Sequence, residues 1–353
     1  MKVVVGMSGG VDSSVAAALL VQQGYSVIGM MLRLWNEPGK EAENRCCTPD
    51  AMAQARRVAA ILGIPFYAID AQERFRGEVV QYFLDAHREG ITPNPCLVCN
   101  RKIRWGYLLQ HAQTFGAEAF ATGHYVRLRT DDDGRYQLMR ALDERKDQSY
   151  VLSMLSQDQL SRSLFPLGEY TKPHIREIAR ELKLPVAERA DSQDLCFIAD
   201  RDYRRFLLDH APDTVRPGPI RDRQGNDLGE HQGLAFYTIG QRKGLGLASS
   251  EPIYVLEKNI VENVLVVGPA EELGKDHLEA VEARWIAGEP PAERFRAEVK
   301  IRYKADAVPG WVTIQSNLQF SVDFDCPLRD ITAGQAAVVY QGENCLGAGL
   351  IAN

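Results

Sequence analysis

The order of strand, glycine loop and helix at the start of the chain constrains its fold more than any other feature. A short β-branched run, Lys2–Met7, is followed by a glycine-bearing loop and then by an Ala/Leu-rich segment, Ser13–Gln23, that ends at Gly24. The first pattern is typical of a buried strand and the second of a helix. Ser26–Leu34 then repeats the strand pattern. This order predicts a parallel sheet covered by helices on both faces.

The alternation continues to about residue 122. Helical patterns cover Asp50–Leu62, which Gly63 closes, and Phe75–Arg88, while strand patterns cover Phe66–Asp70 and Glu118–Thr122. The predicted class is therefore α/β, with an N-terminal Rossmann-like sheet. Because ligands of such sheets lie at the carboxyl ends of the strands, a site is expected in the loops that follow them.

The length and the change in composition along the chain predict two or three domains. The 353 residues exceed one ordinary core, and after about His210 Pro and Gly separate short strand patterns. These patterns are Ile253–Glu257, Val264–Val267, Arg294–Lys304, Trp311–Ile314 and Gln335–Tyr340. We expect an N-terminal domain over residues 1–208, a small central β-rich domain over 209–273 and a C-terminal β-barrel over 274–353.

The composition predicts a soluble cytoplasmic protein. Hydrophobic residues make up 45% and charged residues 25%, and the apolar run Val15–Val21 follows Asp12 and several glycines, unlike a signal peptide or a membrane span. Seven cysteines without an export signal favour reduced thiols, metal or redox chemistry. The net charge of −6 argues against a protein that coats nucleic acid nonspecifically, although a local basic face is compatible with it.

The segment Ser8–Ser14, SGGVDSS, has the features of an anion-binding loop. It lies between the first strand and the first helix, so backbone N–H groups and the helix N-terminus can hold a phosphate while the glycines permit close approach. The Walker pattern with its Lys is absent, which argues against transfer of the gamma phosphate. A simple glycine turn capped by Asp or Ser is the alternative.

Two further segments carry cysteines in polar surroundings. Cys96 and Cys99 form a C-x-x-C in a proline-stiffened loop that leads into a helix expected from Ile103, and the basic residues after Cys99 favour its reactive thiolate. Half a zinc site is the alternative, but no second C-x-x-C or H-x-x-x-H occurs. Cys196 lies in a polar turn, where a small buried hydrophobe is the ordinary interpretation. Of the remaining cysteines, the pair Cys46-Cys47 is expected to pack ahead of a helix and Cys345 to lie in the core.

Taken together, three segments resemble one family. Ser8–Ser14 is similar to the SGGxDS motif of the ATP pyrophosphatases (PP-loop proteins), which adenylate a substrate oxygen. With Thr92–Asn100 (T-P-N-P-x-x-x-C-N) and Asp191–Ile198 (D-S-x-x-x-C-F-I), the chain closely resembles the bacterial tRNA-specific 2-thiouridylases along essentially its whole length. The resemblance implies an ATP-dependent tRNA-uridine 2-sulfurtransferase that uses Mg²⁺, adenylates the C2 oxygen of the wobble uridine of tRNAs for Lys, Glu and Gln, and replaces that oxygen with sulfur.

The resemblance also implies the roles of the cysteines. Cys196 would carry a persulfide received from a sulfur donor protein, and Cys99 would be the second catalytic thiol, so that sulfur transfer leaves a Cys99–Cys196 disulfide. Cys96 departs from many relatives, which carry Asp there. Cys96, Cys99 and Cys196 could instead ligate a 4Fe–4S cluster with one open iron. The relay is favoured because its two thiols are present whichever residue occupies position 96.

The remaining site residues are also implied by the resemblance, which places Asp12 at the Mg-bound phosphates. The residues matching ATP contacts are Gly6, Met7, Ser8, Gly9, Gly10, Val11, Asp12, Ser13, Leu32 and Gly123. The residues matching contacts to the tRNA anticodon stem-loop are Asn94, Pro95, Cys96, His124, Lys146, Asp147, Gln148, Arg302, Tyr303 and Gln335. Independently, Arg294–Lys304 alternates basic and apolar residues, which suits an RNA backbone or a merely solvated strand face.

Two rival functions have different consequences. An amidotransferase-type PP-loop synthetase would also adenylate its substrate but has no use for Cys99 and Cys196 as a pair. A nonenzymatic RNA-binding protein would not need the intact phosphate loop. Thiolation of another tRNA position is a further alternative within the same chemistry. The expected protein is a monomer with no membrane partner.

Overall fold

The computed structural model describes residues 1–40, 48–190 and 195–352. Its strands are β1 (Lys2–Gly6), β2 (Ser26–Arg33), β3 (Phe66–Asp70), β4 (Ala119–Thr122), β5 (Arg127–Thr130), β6 (Tyr136–Met139), β7 (Ser163–Leu164), β8 (Gly218–Arg221), β9 (Asp227–His231), β10 (Tyr254–Asn259), β11 (Val264–Gly268), β12 (Lys275–Trp285), β13 (Arg294–Lys300), β14 (Val308–Ser316), β15 (Gln319–Leu328), β16 (Ala336–Gln341) and β17 (Asn344–Ile351). Cys46, Cys47 and the first four residues of the second cysteine motif lie outside the described residues.

The helices include two long runs with π-helical middles. The helices are α1 (Val11–Gln22), α2 (Pro49–Leu62), α3 (Gln72–Phe75, π-helical Arg76–Val80, Gln81–Arg88), α4 (Pro95–Val98, π-helical Cys99–Leu108, Leu109–Thr114), α5 (Ser149–Leu152), α6 (Gln157–Ser161), α7 (Lys172–Glu181) and α8 (Tyr203–His210). Short 3₁₀ turns cover Pro212–Thr214, Leu234–Phe236 and Ala270–Leu273. None of the helices in the described ranges is long and apolar enough to cross a membrane.

The N-terminal region is the expected α/β layer structure. Five parallel strands pair in the order β3-β2-β1-β4-β7. Val3, Val4 and Val5 of β1 are fully buried, because helices cover both faces of the sheet. The strand β7 was not predicted, since two residues carry no readable periodicity. The strand order reverses between β1 and β4, and a ligand crevice is expected there.

The ends of α2 follow from its sequence. The Thr48 hydroxyl accepts a hydrogen bond from Ala51 N, Pro49 occupies the first turn, and Gly63 closes the helix with φ +67°. A side-chain cap and proline at the start, and glycine in the left-handed conformation at the end, each satisfy groups that the helix leaves unpaired. The predicted helix is confirmed to within one residue.

The expected start of α4 at Ile103 is wrong. The helix begins at Pro95, eight residues earlier, with Asn94 as its N-cap. Proline suits the first helical turn because its fixed φ is already helical and its missing N–H is not needed there. Cys96 and Cys99 therefore lie in the first turns of a helix and not in a loop before it. At Cys99 the helix becomes π-helical, a deviation that is frequent at functional sites.

The central region is a small sheet in the order β10-β11-β8-β9. It packs on α3 and α8 through one apolar cluster, which includes Phe83, Phe206, Phe236 and Val255. Aromatic edge contacts such as Phe83 to Phe206, with ring centroids 6.0 Å apart, tie the helices together. The central sheet and the N-terminal helices therefore share a core.

The C-terminal region is a closed antiparallel barrel. Its strands pair in the order β12-β15-β14-β13-β16-β17, and β12 pairs with β17 to close it. The expected strand Arg294–Lys304 is too long: β13 ends at Lys300, and the following residues form bends and turns. Along β13 exposed and buried residues alternate as predicted, but the exposed face also carries Glu298. The prediction of a continuous basic face up to Lys304 is therefore wrong.

A hairpin from the N-terminal region extends the barrel sheet. Strands β5 and β6 pair with each other, and β6 adds to β17 through Met139 opposite Asn344 and Leu138 opposite Cys345. Cys345 is 1% exposed, so its assignment to the core is confirmed. The N-terminal region and the barrel are therefore joined by a continuous β-sheet.

Candidate active site

The phosphate loop lies at the switch point of the sheet, between the ends of β1 and β4. Gly9 has φ +72°, and a Cβ there would lie 2.3 Å from Ala51 O, so only glycine fits. Ser13 Oγ accepts a hydrogen bond from Ser8 N (3.1 Å) and fixes the loop. The N-cap of α1, Gly10, provides no side-chain cap, which leaves the first-turn N–H groups of this helix for a ligand.

Gly123 brings the end of β4 against this loop. A Cβ at Gly123 would lie 2.7 Å from both Asp12 C and Ser13 N, so the close approach requires glycine. The predicted ATP residues of the loop and Gly123 are thus brought together. Leu32, in β2, is partly buried against the apolar clusters below the same sheet edge.

The Asp12 carboxylate is held by two residues that the sequence analysis missed. Lys172 Nζ lies 2.7 and 2.8 Å from its two oxygens, and the Tyr125 hydroxyl donates to Oδ1 at 2.7 Å. Lys172 begins α7 and is only 7% exposed. Charge-assisted hydrogen bonds of this length fix the carboxylate firmly. They also place a lysine beside the loop that would hold phosphates.

The two thiols of the predicted relay pack against one apolar cluster. Cys99 and Cys196 are partly buried, and Cys96 is exposed. Cys99 and Cys196 both contact the cluster that contains Phe197 and Ile198, two buried residues that anchor the Cys196 segment. The structure thus brings both cysteine motifs to a common core.

The described residues do not offer a ready metal site. Across residues 1–40, 48–190 and 195–352, no three His, Cys, Asp or Glu side chains are grouped as a metal ion requires. A 4Fe–4S cluster would need the three thiolates of Cys96, Cys99 and Cys196 to face one point. Among the described residues these three thiols are not grouped in that way.

His124 is buried and fully used within the protein. It is 6% exposed, and Arg104 Nη1 lies 3.2 Å from its Nε2. Because a guanidinium can only donate, Nε2 accepts and Nδ1 carries the proton that it donates to Thr122 Oγ1 (2.8 Å). Burial and the Arg104 charge lower the pKa of His124, so the ring is neutral at physiological pH. A role toward tRNA stays a prediction and would act through Arg104.

The proline loop before α4 docks onto the barrel. Gln335 Nε2 donates to Thr92 O (2.9 Å), and Thr92 N donates to Ala333 O (3.1 Å). Gly334 has φ +86°, and a Cβ there would lie 2.9 Å from Thr92 O. The barrel therefore holds the loop that leads directly into the C-x-x-C helix.

Several predicted tRNA residues gather at this junction. Tyr303 is 37% exposed, its ring lies 6.0 Å from that of Tyr150, and Lys300 Nζ lies 6.0 Å above it. Burial raises the pKa of Tyr303, and Asp147 and Cys96 raise it further, which places the Cys96 thiol nearby. Asn94, Pro95, Cys96, Tyr303 and Gln335 thus lie together where the proline loop meets the barrel.

Four other residues that are predicted to contact tRNA lie near this junction. The side chains of three of them form hydrogen bonds within the protein. Arg302 donates to Ile239 O and Thr332 Oγ1 and pairs with Asp330 (3.2 Å). Asp147 is 9% exposed and accepts hydrogen bonds from Ala141 N, Ser149 N and Ser149 Oγ. Gln148 accepts from Tyr125 N, and Lys146 is partly buried. Contacts from these four to RNA stay predictions.

Comparison with known proteins gives full-length matches. Three family models match in succession: the tRNA methyl transferase HUP domain over residues 1–200, the tRNA methyl transferase PRC-barrel domain over 204–269 and the Aminomethyltransferase beta-barrel domain over 275–351. The chain is 48% identical to the tRNA-specific 2-thiouridylase MnmA of Chloroflexus aggregans, over 99% of this chain and 98% of that one. It is 45% identical to the same enzyme of Clostridium perfringens, over 99% and 98% respectively.

A more distant likeness comes from solved structures. The U34-tRNA thiolase NcsA from Methanococcus maripaludis with its [4Fe-4S] cluster matches at 20% identity and a TM-score of 0.37, over 60% of this chain and 68% of that one. The relatives compared at 45–48% identity along the whole chain share the name tRNA-specific 2-thiouridylase MnmA. The chain therefore belongs to the family of tRNA-specific 2-thiouridylases.

Proposed function

We propose that the protein is an ATP-dependent tRNA-uridine 2-sulfurtransferase that thiolates the C2 position of the wobble uridine in tRNAs for Lys, Glu and Gln. One observation carries the proposal. A phosphate-binding loop with its Asp12–Lys172 pair lies on the same domain as two thiols, Cys99 and Cys196, that share one apolar cluster. Activation of the uridine by ATP requires the loop, and replacement of its oxygen by sulfur requires the two thiols.

The first step is adenylation of the uridine C2 oxygen. That oxygen attacks the alpha phosphate of ATP and pyrophosphate departs. The uncapped N–H groups of α1 and the Lys172 ammonium would stabilise the charge that develops on the phosphates. Mg²⁺ bound with ATP would neutralise further phosphate charge, and Asp12 Oδ2 has a lone pair left for it.

The second step exchanges oxygen for sulfur. The terminal sulfur of a Cys196 persulfide attacks C2, and AMP leaves with the original oxygen. The Cys99 thiolate then attacks Cys196 Sγ, so that the S–S bond of the persulfide breaks, 2-thiouridine is released and a Cys99–Cys196 disulfide forms. A dithiol reductant must reduce this disulfide, and a sulfur donor protein must reload Cys196.

The domains would divide this work. Residues 1–208 would bind ATP and carry the thiols, residues 209–273 would support the Cys196 segment through the shared cluster, and residues 274–353 would hold the anticodon stem-loop with the proline loop. An extruded wobble base would lie against Asn94, Cys96 and Tyr303, where a partly exposed aromatic ring is available for stacking. We place the enzyme in the cytoplasm as a monomer.

Serine variants of the three cysteines test the chemistry. Unmodified tRNA is incubated with ATP, Mg²⁺, a dithiol reductant and a donor protein that supplies persulfide sulfur, and in parallel with sulfide in place of the donor, and 2-thiouridine, AMP and protein-bound iron are measured. Cys99→Ser and Cys196→Ser should lose thiolation while ATP binding persists, whereas Cys96→Ser should retain it, because the relay does not use this thiol.

The same assay separates the rival mechanisms. Loss of thiolation in Cys96→Ser, with about four irons per wild-type chain after anaerobic purification, would replace the relay by a 4Fe–4S mechanism. Normal thiolation in Cys99→Ser or Cys196→Ser would refute the cysteine relay, and absence of thiolation by the wild-type protein would refute the proposed function. ATP–pyrophosphate exchange with a small acid and without tRNA would point to an amidotransferase-type synthetase.

A further inference from the structure

A cleft beside α4, the helix that carries Cys96 and Cys99, has no role in the proposed chemistry. It has a volume of about 510 Å³ and runs along one side of α4, from Arg101 and Lys102 to Gln110 and Gln113. The barrel strand β12 closes the other side with Arg284. Arg101 lies two positions after Cys99 on the same helix, so the cleft and the thiol are carried by one element.

Two arginines face this cleft with little to balance them. Arg101 makes one long ion pair with Glu282 at 3.8 Å, and Arg284 is exposed and has no carboxylate partner among the described residues. Burial and the charge of Arg284 lower the pKa of Arg101, while Glu282 and Glu78 act in the opposite direction, so the two like charges lie close enough to interact. An anion between the two groups would relieve their repulsion.

The other charged groups around the cleft are already neutralised. Lys102 Nζ binds Glu78 at 2.5 Å, and Asp158 binds Arg162 at 3.3 Å. The lining also includes uncharged hydrogen-bonding groups on Gln110, Gln113, Ser156 and Gln159. Arginine with neutral amide and hydroxyl groups is the set that contacts nucleic-acid phosphates and sugars.

The backbone of β12 is distorted where Arg284 emerges. Its pairing with β17 shifts register between Val281 and Arg284, and Glu282 has a left-handed φ of +51°. A bulge of this kind redirects side chains, here Glu282 and Arg284, and occurs often beside functional sites. A left-handed glutamate also costs free energy that the surrounding fold must supply.

We propose that the cleft between α4 and β12 binds backbone phosphates of the tRNA, with Arg101 and Arg284 as the paired phosphate ligands. This inference rests on the proposed function, because it extends the path of the tRNA from Cys96 along α4. Phosphates of an RNA strand fit better than a free phosphate, because the amide side chains of Gln110 and Gln113 continue the cleft beyond the arginine pair. Phosphate contacts position a nucleic acid without reading its sequence.

The test uses the full-length protein and measures the Kd for unmodified tRNA as a function of salt. Arg284→Gln and Arg101→Gln should each weaken binding roughly tenfold and lower the slope of log K against log salt by about one. Arg284→Gln should raise KM for tRNA and leave kcat unchanged, since the contact is made equally before and during reaction. The matched control Arg180→Gln removes an exposed arginine of α7 and should change neither quantity.

A variant in the opposite direction keeps the test independent of folding defects. Glu282→Gln removes the carboxylate that competes for Arg101, so it should tighten tRNA binding severalfold and leave ATP affinity unchanged. Wild-type affinity and slope in Arg284→Gln, while the wild-type protein binds and thiolates tRNA, would overturn the cleft and leave the proposed function intact. A wild-type protein that neither binds nor thiolates tRNA would refute the proposed function itself.

Inorganic phosphate distinguishes the two sources of the anion. If millimolar phosphate binds the wild-type protein and not Arg284→Gln, and tRNA affinity is the same in both, the cleft holds a small phosphate and the RNA assignment is wrong. If phosphate competes with tRNA for the wild-type protein only, the two share the arginine pair, as the proposal expects.

Discussion

Lys172 is far from the phosphate loop in the sequence but controls it through direct contact. It contacts both oxygens of Asp12 at 2.7 and 2.8 Å although 160 positions separate the two residues. Its side chain is buried, so the ammonium is weakly screened by water. The lysine sets both the position of Asp12 and the charge next to the loop.

Replacing Lys172 by Met, a neutral side chain of similar length, should therefore abolish activation of the uridine. We expect AMP formation to fall at least 100-fold, because removal of one preorganised charge or donor commonly costs that much. The measurement is AMP release with ATP and unmodified tRNA, and tRNA affinity should be unchanged. Tyr125→Phe removes only the hydroxyl that donates to Asp12 and should cost roughly tenfold. Equal losses in both variants would show that the lysine charge has no special role.

At this scale the sequence predicts what is local. The loop Ser8–Ser14 is contiguous, so its residue types and spacing suffice to locate Asp12. Lys172 and Tyr125 carry no motif of their own, and only the packing of α7 and of the segment after β4 brings them to the loop. His124 was predicted by likeness at the correct edge of the sheet, but its burial could not be read from the sequence.

Among the elements, α3 carries a partly buried titratable group, His87, at its end. His87 donates from Nδ1 to Phe83 O at 2.8 Å, and its ring lies 4.3 Å from that of Phe83. Burial lowers the pKa of His87 from 6.5 to about 4. The folded protein therefore keeps this ring neutral over a pH range in which the unfolded chain binds a proton.

The sign of the resulting pH dependence follows directly. Stability from neutral His87 is present above pH 6.5 and is lost as the pH falls toward about 4, because only the unfolded state gains a proton in that interval. The loss should approach about 3 kcal/mol. We expect His87→Gln, which keeps a donor for Phe83 O, to flatten the free energy of unfolding between these pH values in denaturant titrations. Parallel curves for the two proteins would contradict this assignment.

The elements were predicted where a pattern is long and were missed where it is short. The sheet core and α2 follow from periodicity and caps, whereas β7 and the hairpin of β5 and β6 have two to four residues per strand. The error at α4 has a physical origin, since Asn-Pro favours both turns and the first helical turn. Only the contacts of Pro95 with the rest of the fold decide between them.

For the whole molecule, the docking of the proline loop on the barrel is the contact with the clearest functional consequence. Gln335→Ala would remove the hydrogen bonds of Nε2 to Thr92 O and Pro93 O. We expect kcat/KM for thiolation to fall roughly tenfold, because α4, which carries Cys96 and Cys99, would lose its fixed position. The affinity for ATP should stay unchanged. The matched control is Gln319→Ala, on an exposed position of the barrel. An unaffected kcat/KM in Gln335→Ala would show that the barrel does not position the loop.

The arrangement of the three regions could be predicted only in kind. Changes in composition indicated an α/β region followed by β-rich ones, and the barrel was expected from its short strands. Some contacts between the regions join residues more than 200 positions apart, such as Leu138 with Cys345. No pattern within a single segment encodes such a pairing.

The hairpin of β5 and β6 finally determines how the molecule can be taken apart. If the chain were truncated ahead of the barrel, β6 would become an open edge strand, and Leu138, which is fully buried, would lose its cover. Exposed edges with apolar residues invite association between chains. The N-terminal region is therefore a poor candidate for expression as a separate fragment, and intact enzyme should unfold with the barrel and the nucleotide-binding sheet as one cooperative unit.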